Sequence, residues 1–199
     1  MRIVERERFD VVVIFFVYHC CVIYLCKRRC KTNAISIMEA RHLQKIDSLV
    51  LADYILMKYG PMSHLKLQKL LYYCDAYHLA YFDTELITDK FEAWVHGPVS
   101  RRVFDSLKDK SVIYADLEFN GDQEKVERAF LELASSQREV ISDVLSELSQ
   151  WSGLQLESAT HRETPWIEAR VGKGPADKCT VEISKETTKS FYKAELGMC

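Results

Sequence analysis

The sequence predicts a mainly α-helical protein, a compact single-domain bundle of about six helices with one or two short β-strands. From Met38 onward, apolar residues recur every three to four positions in most segments, which is the spacing of one helix face. Residues that favour helix N-termini precede several of these segments, and strict alternation of apolar and polar residues is confined to one short stretch. A chain with 48% hydrophobic and 28% charged residues has the composition of an ordinary globular protein.

The first 37 residues differ in composition from the rest of the chain. They carry seven basic and three acidic residues and four of the seven cysteines, whereas residues 38–199 carry 20 basic and 26 acidic residues, a formal charge of −6. Residues 11–26 contain no Asp, Glu, Lys or Arg, and the basic run KRRCK follows them directly. At about 1.5 Å per residue, such a segment would span about 24 Å as a helix, which is short of a hydrocarbon core of about 30 Å.

Two interpretations of this extension stay open. Residues 11–26 are either a short anchor in the inner membrane, or part of a stretch upstream of a true start at Met38. The abrupt change in composition at Met38 favours the second interpretation. We therefore expect an extension over residues 1–37, a domain over residues 38–199 and a cytoplasmic location, with membrane contact only if residues 11–26 are a real anchor.

The first two helices of the domain are predicted from their apolar stripes. The stripe of the first helix is Leu43, Ile46, Leu49, Val50, Asp53, Tyr54 and Met57, of which only Asp53 is polar. Gly60-Pro61 ends this helix, and Ser63 can cap the next one. The buried face of the second helix is predicted to be Leu67, Leu70, Leu71, Cys74, Tyr77, His78 and Tyr81.

The stretch FEAWVHGPVSRRVF, residues 91–104, breaks the helical period. Apolar and polar residues alternate at its start, which predicts a short strand. Gly97-Pro98 then turns the chain, and Pro98 is placed to occupy the first position of a third helix that continues through Phe104 to Leu107.

The remaining segments complete the bundle. The longest helix is predicted to run from Val126 to Leu148, because apolar residues follow one stripe across that range. Three shorter helices follow, with predicted N-caps at Ser152, Thr164 and Ser184. The segment CTVEI, residues 179–183, is a second candidate strand.

Several kinds of catalytic or cofactor site are disfavoured by the residues. Cys74 and His78 share a helix face, but no thiol-protease signature surrounds them, so Cys74 is interpreted as a packed thiol. The histidines show no H-x-x-x-H or H-E-x-x-H spacing, no Cys-x-x-Cys is present, and no phosphate-binding glycine motif occurs. A metal site assembled at long range, for example from His78, His96 and His161, stays open at this point. We predict no catalytic residues, no metal site and no cofactor.

Nucleic-acid binding is a minority interpretation. Arg101 and Arg102 begin the third predicted helix, where cations oppose the helix dipole and therefore favour an anionic partner or solvent. Nearby acids such as Asp105 and Asp109 offer that partner within the chain. A domain with a charge of −6 has no general attraction for nucleic acid, so we do not expect a nucleic-acid partner.

Protein-partner binding is the remaining class of surface chemistry. Tyrosine, tryptophan, phenylalanine and arginine are frequent anchors of protein interfaces. The competing interpretation is that the tryptophans belong to the core. The candidate partner-binding residues are Trp94, His96, Arg101, Arg102, His161 and Trp166.

The sequence resembles the SocA-like antitoxins, the Panacea-domain family. The resemblance rests on the helix motif Lys66-Leu67-Gln68-Lys69-Leu70, on Phe91, Ala93-Trp94 and Gly97-Pro98-Val99, and on a later H-x-x-x-P-W element that ends at Trp166. It covers roughly residues 46–196, and no catalytic residue is carried over from the family.

The resemblance implies a small helical antitoxin encoded beside a toxin in a bacterial, phage or prophage genome. Its partner would be a cognate protein toxin, neutralised by direct binding and without enzymatic activity. Two alternatives stay open: a proteolytic adaptor that delivers the toxin to a protease, and a DNA-binding autoregulator.

Overall fold

The computed structural model describes residues 43–107 and 116–198, and within these ranges the chain forms eight helices and four short strands. The expectations for residues 1–37 and for a start at Met38 lie outside the described part. In chain order the elements are α1 (Ser48–Tyr59), β1 (Met62–Ser63), α2 (His64–Phe82), β2 (Phe91–Trp94), β3 (Gly97–Ser100), α3 (Arg101–Leu107), β4 (Asp116–Leu117), α4 (Gln123–Leu131), α5 (Ser135–Leu148), α6 (Gly153–Thr160), α7 (Thr164–Ala169) and α8 (Lys185–Glu195).

Helix α2 is the longest described helix, and the other elements pack around it. It spans 19 residues and contacts helices α1, α3, α5, α6 and α8 as well as strand β3. The sequence predicts one buried face, but nearly the whole circumference is buried, including five polar side chains, of which all but His64 hydrogen-bond groups outside the helix. These residues are His64, Gln68, Lys69, Asp75 and His78.

Polar side chains fix the beginnings of several helices. Ser63, Ser152 and Ser184 accept hydrogen bonds from backbone N–H groups in the first turns of α2, α6 and α8, which confirms the three predicted caps. The prediction for α7 is wrong, because the cap position belongs to Glu163 and Thr164 is already helical. Helix α1 begins at Ser48 behind the cap Asp47, so the apolar stripe predicted from Leu43 starts before the helix.

The corner after β2 differs from its prediction. Residues Gly97–Ser100 form a strand that pairs antiparallel with Phe91–Trp94, with Trp94 opposite Gly97. Pro98 therefore lies in strand β3 and not in the first turn of helix α3, which begins at Arg101. The physical reason is non-local, because pairing with β2 gives this segment hydrogen bonds that a local helix preference cannot anticipate.

The second candidate strand is confirmed only as an edge segment. The Ala93 N–H donates to the Val181 carbonyl at 2.9 Å, and the Ile183 N–H donates to the Phe91 carbonyl at 2.7 Å. This pairing places residues 181–183 on the side of β2 opposite β3. A separate pair joins β1 to β4, with Met62 opposite Leu117.

The helix predicted from Val126 to Leu148 is two helices, α4 and α5. The backbone of Ala134 is extended, and its N–H donates to the Gln137 side chain at 3.2 Å. The side-chain amide of Gln137 also accepts a hydrogen bond from the Gln44 N–H at 3.0 Å and donates one to the Gln44 carbonyl at 2.8 Å. Its nitrogen lies 2.8 Å from the His78 Nε2. Tertiary hydrogen bonds thus stabilise the break, and this break is one reason why eight helices are observed where about six are predicted.

The described residues contain one main hydrophobic core around α2. Tyrosine rings from α2 and α8 pack edge to face within it, with the Tyr77 and Tyr192 centroids 5.0 Å apart. No helix within residues 43–107 and 116–198 is both long and apolar enough to cross a membrane.

Candidate functional site

Two polar side chains of α2 hold the β2–β3 corner in place. The Gln68 amide accepts a hydrogen bond from the Ser100 N–H at 2.8 Å and donates to the Ser100 carbonyl at 3.4 Å, as a neighbouring strand would. The buried Lys69 ammonium donates to the Pro98 carbonyl at 2.9 Å. Within the motif Lys66–Leu70, Gln68 and Lys69 therefore have a structural role, because both side chains hydrogen-bond the backbone of β3.

Gly97 permits the close approach of this corner to the helices. Its φ of 92° is a conformation that side-chain-bearing residues rarely adopt. A Cβ atom there would lie 2.8 Å from both the Lys69 Cε and the Thr160 Oγ1. Glycine is therefore required for backbone conformation and for packing against α2 and α6.

Trp94 and Arg101 are joined through Glu92. The Arg101 guanidinium donates two hydrogen bonds to the Glu92 carboxylate, at 2.8 and 2.7 Å, and lies 5.2 Å from the centre of the Trp94 ring. The Trp94 indole N–H donates to the same carboxylate at 2.7 Å. Because hydrogen bonding to the guanidinium favours the charged carboxylate, the pKa of Glu92 is lowered.

Trp166 connects this group to α6. Its indole N–H donates to the Trp94 carbonyl at 3.0 Å, and its ring stacks on His161 with 4.1 Å between centroids. The Arg170 guanidinium lies 5.0 Å from the Trp166 ring centre. Arg170 is itself buried and donates to the carbonyls of Ala93 and Gly174, each at 2.9 Å. The Trp166 ring is thus half-buried and held in one orientation.

His96 reaches the same helix through Glu157. The His96 Nδ1–H donates to the Glu157 Oε1 at 2.9 Å, while the His161 Nε2 lies 4.0 Å from that oxygen. The buried His161 Nε2 and Glu157 Oε2 have no hydrogen-bond partner among the described residues. The imidazoles of His96 and His161 therefore both approach the Glu157 carboxylate, but only His96 is hydrogen-bonded to it.

A buried lysine lies next to this group. Burial lowers the pKa of Lys69 to about 7, although the negative charges of Glu157 and Glu163 act in the opposite direction. Burial also lowers the pKa of His161, and Glu157 opposes this effect. Glu163 is buried and accepts hydrogen bonds from the Tyr73 hydroxyl at 2.8 Å and the Tyr192 hydroxyl at 2.7 Å.

Five of the six predicted partner-binding residues are connected by these contacts. We name the set Trp94, His96, Arg101, His161 and Trp166 the corner surface. Arg102 is directed elsewhere: its guanidinium donates to the Asp47 carboxylate at 2.7 Å and to the Ser48 hydroxyl at 3.0 Å, at the start of α1. Among the described residues, the Arg101 guanidinium hydrogen-bonds Glu92 and the Arg102 guanidinium hydrogen-bonds Asp47, while the Arg102 Nη1 lies 3.6 Å from the Asp89 Oδ1. Asp105, one of the two acids suggested by the sequence, adds an electrostatic attraction for Arg101.

The structure also locates the residues considered for catalysis and metal binding. Cys74 is buried, and desolvation raises the pKa of its thiol well above the ordinary value. The His78 Nδ1–H donates to the Thr84 carbonyl at 2.7 Å, and its Nε2 accepts from the Gln137 amide, so His78 lies apart from the corner surface. Within residues 43–107 and 116–198, no group of three or more His, Cys, Asp or Glu residues could hold a metal ion.

Sequence reasoning missed the carboxylates that connect the corner surface. Glu157 lies four residues before His161, so helical spacing alone could have placed both on one face. Glu92 lies two residues before Trp94 on a predicted strand, and alternation places both on one side. Lys69 and Arg170 had no comparable signal, because their partners are distant backbone carbonyls.

Comparison with known proteins gives one family. The sequence model described as "Antitoxin SocA-like, Panacea domain" matches residues 67–167, which include all of α2 except its first three residues, the whole corner surface and most of α7. No curated protein and no solved structure matches the chain.

Proposed function

Because the chain belongs to the SocA-like antitoxin family with a Panacea domain, we propose that it neutralises a cognate protein toxin in the cytoplasm by binding it directly. We propose further that the corner surface contacts the toxin. The observation that carries this second step is the continuous set of contacts through Trp94, Trp166 and His161 at the protein surface. This role requires no catalytic residue of the chain itself.

The corner surface has the composition of an interface anchor. Tryptophan and arginine are enriched among residues whose truncation costs more than about 2 kcal/mol of binding free energy. The side chains are also held before any partner arrives, since Glu92 fixes both Trp94 and Arg101. Such preorganisation reduces the conformational entropy that binding would otherwise remove.

An exposed apolar residue extends the surface along α6. Leu154 is 64% exposed and lies three and seven residues before Glu157 and His161, which is the spacing of one helix face. The His96 side chain is 41% exposed and lies against Glu157. The proposed contact region therefore combines an apolar side chain with aromatic and imidazole rings.

Co-expression with the product of the adjacent gene tests the antitoxin role. We expect that product to stop growth when it is expressed alone, and growth to recover when this chain is added. A product that is harmless alone, or one that stays lethal beside this chain, would refute the proposal. Co-purification of the two proteins would support direct binding.

Paired leucine variants test the proposed surface. Leu154→Ser should weaken toxin binding by about tenfold, the effect of about 1.4 kcal/mol. Leu131→Ser is the matched control, because Leu131 is 62% exposed but lies at the end of α4, outside the proposed region. Equal binding by both variants in isothermal titration calorimetry would exclude Leu154 from the interface.

The two alternative mechanisms make separable predictions. An adaptor would shorten the toxin's half-life only in cells that contain the relevant protease, whereas direct binding would neutralise a stable toxin. DNA binding has less support, because Arg101 and Arg102 hydrogen-bond carboxylates of the chain itself. A gel shift of the chain's own promoter that Arg101→Ala and Arg102→Ala abolish would favour the regulator.

A further inference from the structure

Two buried atoms, one on His161 of the corner surface and one on the adjoining Glu157, lack hydrogen-bond partners among the described residues. The Glu157 carboxylate has one oxygen bonded to His96 and the other, Oε2, without a hydrogen-bond partner among the described residues. The His161 Nε2 is equally without one and lies 4.0 Å from the Glu157 Oε1. An unpaired buried polar group costs about 1–3 kcal/mol, so two on adjacent side chains indicate a second available arrangement.

The charges that face His161 come from four parts of the chain. Glu157 on α6 favours a charged imidazole, whereas Lys69 on α2, His96 in the corner and Arg170 after α7 disfavour it. Burial acts in the same direction as these three groups and lowers the pKa of His161. The lowered pKa favours an uncharged His161 at neutral pH, and its Nε2 lies 4.0 Å from the Glu157 Oε1, beyond hydrogen-bond distance.

We propose that His161 and Glu157 form a proton-operated contact, in which uptake of one proton from solvent by His161 closes the 4.0 Å gap to Glu157 and loosens the His96–Glu157 hydrogen bond. A protonated imidazole donates from both nitrogens, so its Nε2–H can bond the carboxylate that the neutral ring leaves unbonded. The movement needed is about 1 Å, the difference between 4.0 Å and an ordinary N–H···O bond.

The contact would change the corner surface on both sides of Glu157. His161 stacks on Trp166, so its displacement moves the indole, and a weaker Glu157 bond removes one contact of the exposed His96 ring. In its effect on toxin binding this inference rests on the proposed function. We expect toxin affinity to fall on acidification, because the preorganised arrangement is the one with a neutral His161.

Nuclear magnetic resonance of the full chain tests the contact without a toxin. Between pH 8 and 5, the Trp166 indole N–H signal should follow the His161 ring signals with one shared midpoint. Glu157→Gln should lower that midpoint by about one pH unit, because the carboxylate that stabilises the imidazolium is gone. Glu168→Gln, which changes an exposed residue of α7, should leave it unchanged.

The inference is overturned if the Trp166 signal stays constant while His161 titrates, or if Glu157→Gln leaves the midpoint unchanged. The wild-type titration decides the first point even if a variant fails to fold.

Toxin affinity supplies the second readout. The dissociation constant should rise by about two- to fivefold from pH 7.5 to 5.5 in the wild type, because the lowered pKa of His161 leaves its protonation incomplete at the lower pH. His161→Phe keeps a ring on Trp166 but cannot take up the proton, so its affinity should not depend on pH, whereas Glu168→Gln should behave as wild type. No binding at either pH would contradict the proposed function. Equal affinity of the wild type for the toxin at both pH values would contradict only the proton-operated contact.

Discussion

Replacement of Gly97 by alanine should destabilise the fold at the corner on which the candidate site depends. The φ of 92° strains a residue with a Cβ by about 1–2 kcal/mol. The new methyl group would also lie 2.8 Å from the Thr160 Oγ1 and 2.9 Å from the Lys69 Nζ. Relief of that overlap requires movement of a fully buried lysine bonded to the Pro98 carbonyl, a packing cost of about 1–3 kcal/mol.

Gly172 provides a matched control. Its φ of 79° carries a comparable strain, but no atom lies within 4 Å of the position of its Cβ. Both substitutions remove the same backbone freedom from the unfolded chain, so that contribution cancels between them. We therefore expect Gly97→Ala to lower the free energy of unfolding by about 3 kcal/mol and Gly172→Ala by about 1 kcal/mol.

Urea denaturation followed by tryptophan fluorescence measures both changes. The comparison uses the full chain at pH 7.5, with denaturation midpoints compared at a common slope. If the two variants differ by less than about 0.5 kcal/mol, the close approach of Gly97 to Lys69 and Thr160 does not constrain the fold, and the packing argument fails.

Two further predictions concern buried polar groups. Burial lowers the pKa of His64 and of His78 to about 4, whereas the unfolded chain titrates near 6.5. The unfolded state therefore binds more protons below pH 6.5, and the free energy of unfolding should fall by about 2 kcal/mol per histidine from pH 7 to 5; a flat profile in urea titrations would contradict this. Gln68→Met should leave the buried Ser100 N–H without its acceptor and lower stability by about 1–3 kcal/mol. Hydrogen exchange at Ser100 should accelerate in that variant, and unchanged protection would show that Gln68 does not hold β3.

The sequence correctly predicted features that depend on residues close together in the chain, such as helix caps and apolar spacing. Ser63, Ser152 and Ser184 cap helices within their own first turns, so the residues that create the cap are adjacent in the chain. The mainly helical class followed from apolar spacing for the same reason. The family resemblance, confirmed over residues 67–167, followed from motifs whose spacing is also visible in the chain.

Predictions failed where distant residues supply the deciding hydrogen bonds. Pro98 suits a helix start, yet strand pairing with β2 and the amide of Gln68 place its segment in a strand. The apolar stripe continues through Ala134, yet the Gln137 side chain accepts a hydrogen bond from the Ala134 N–H at a break there and donates one to the Gln44 carbonyl.

The sequence alone was enough to predict the family and the helical class, and to select the five residues of the corner surface as candidates. Only the tertiary structure decided that these five lie together and that Arg102 does not. It also identified Glu157 as the carboxylate between His96 and His161, which are 65 positions apart in the chain. The physical reason is that residue type and spacing determine the local structure of neighbouring residues. Burial and tertiary hydrogen bonding depend instead on which helices and strands pack together.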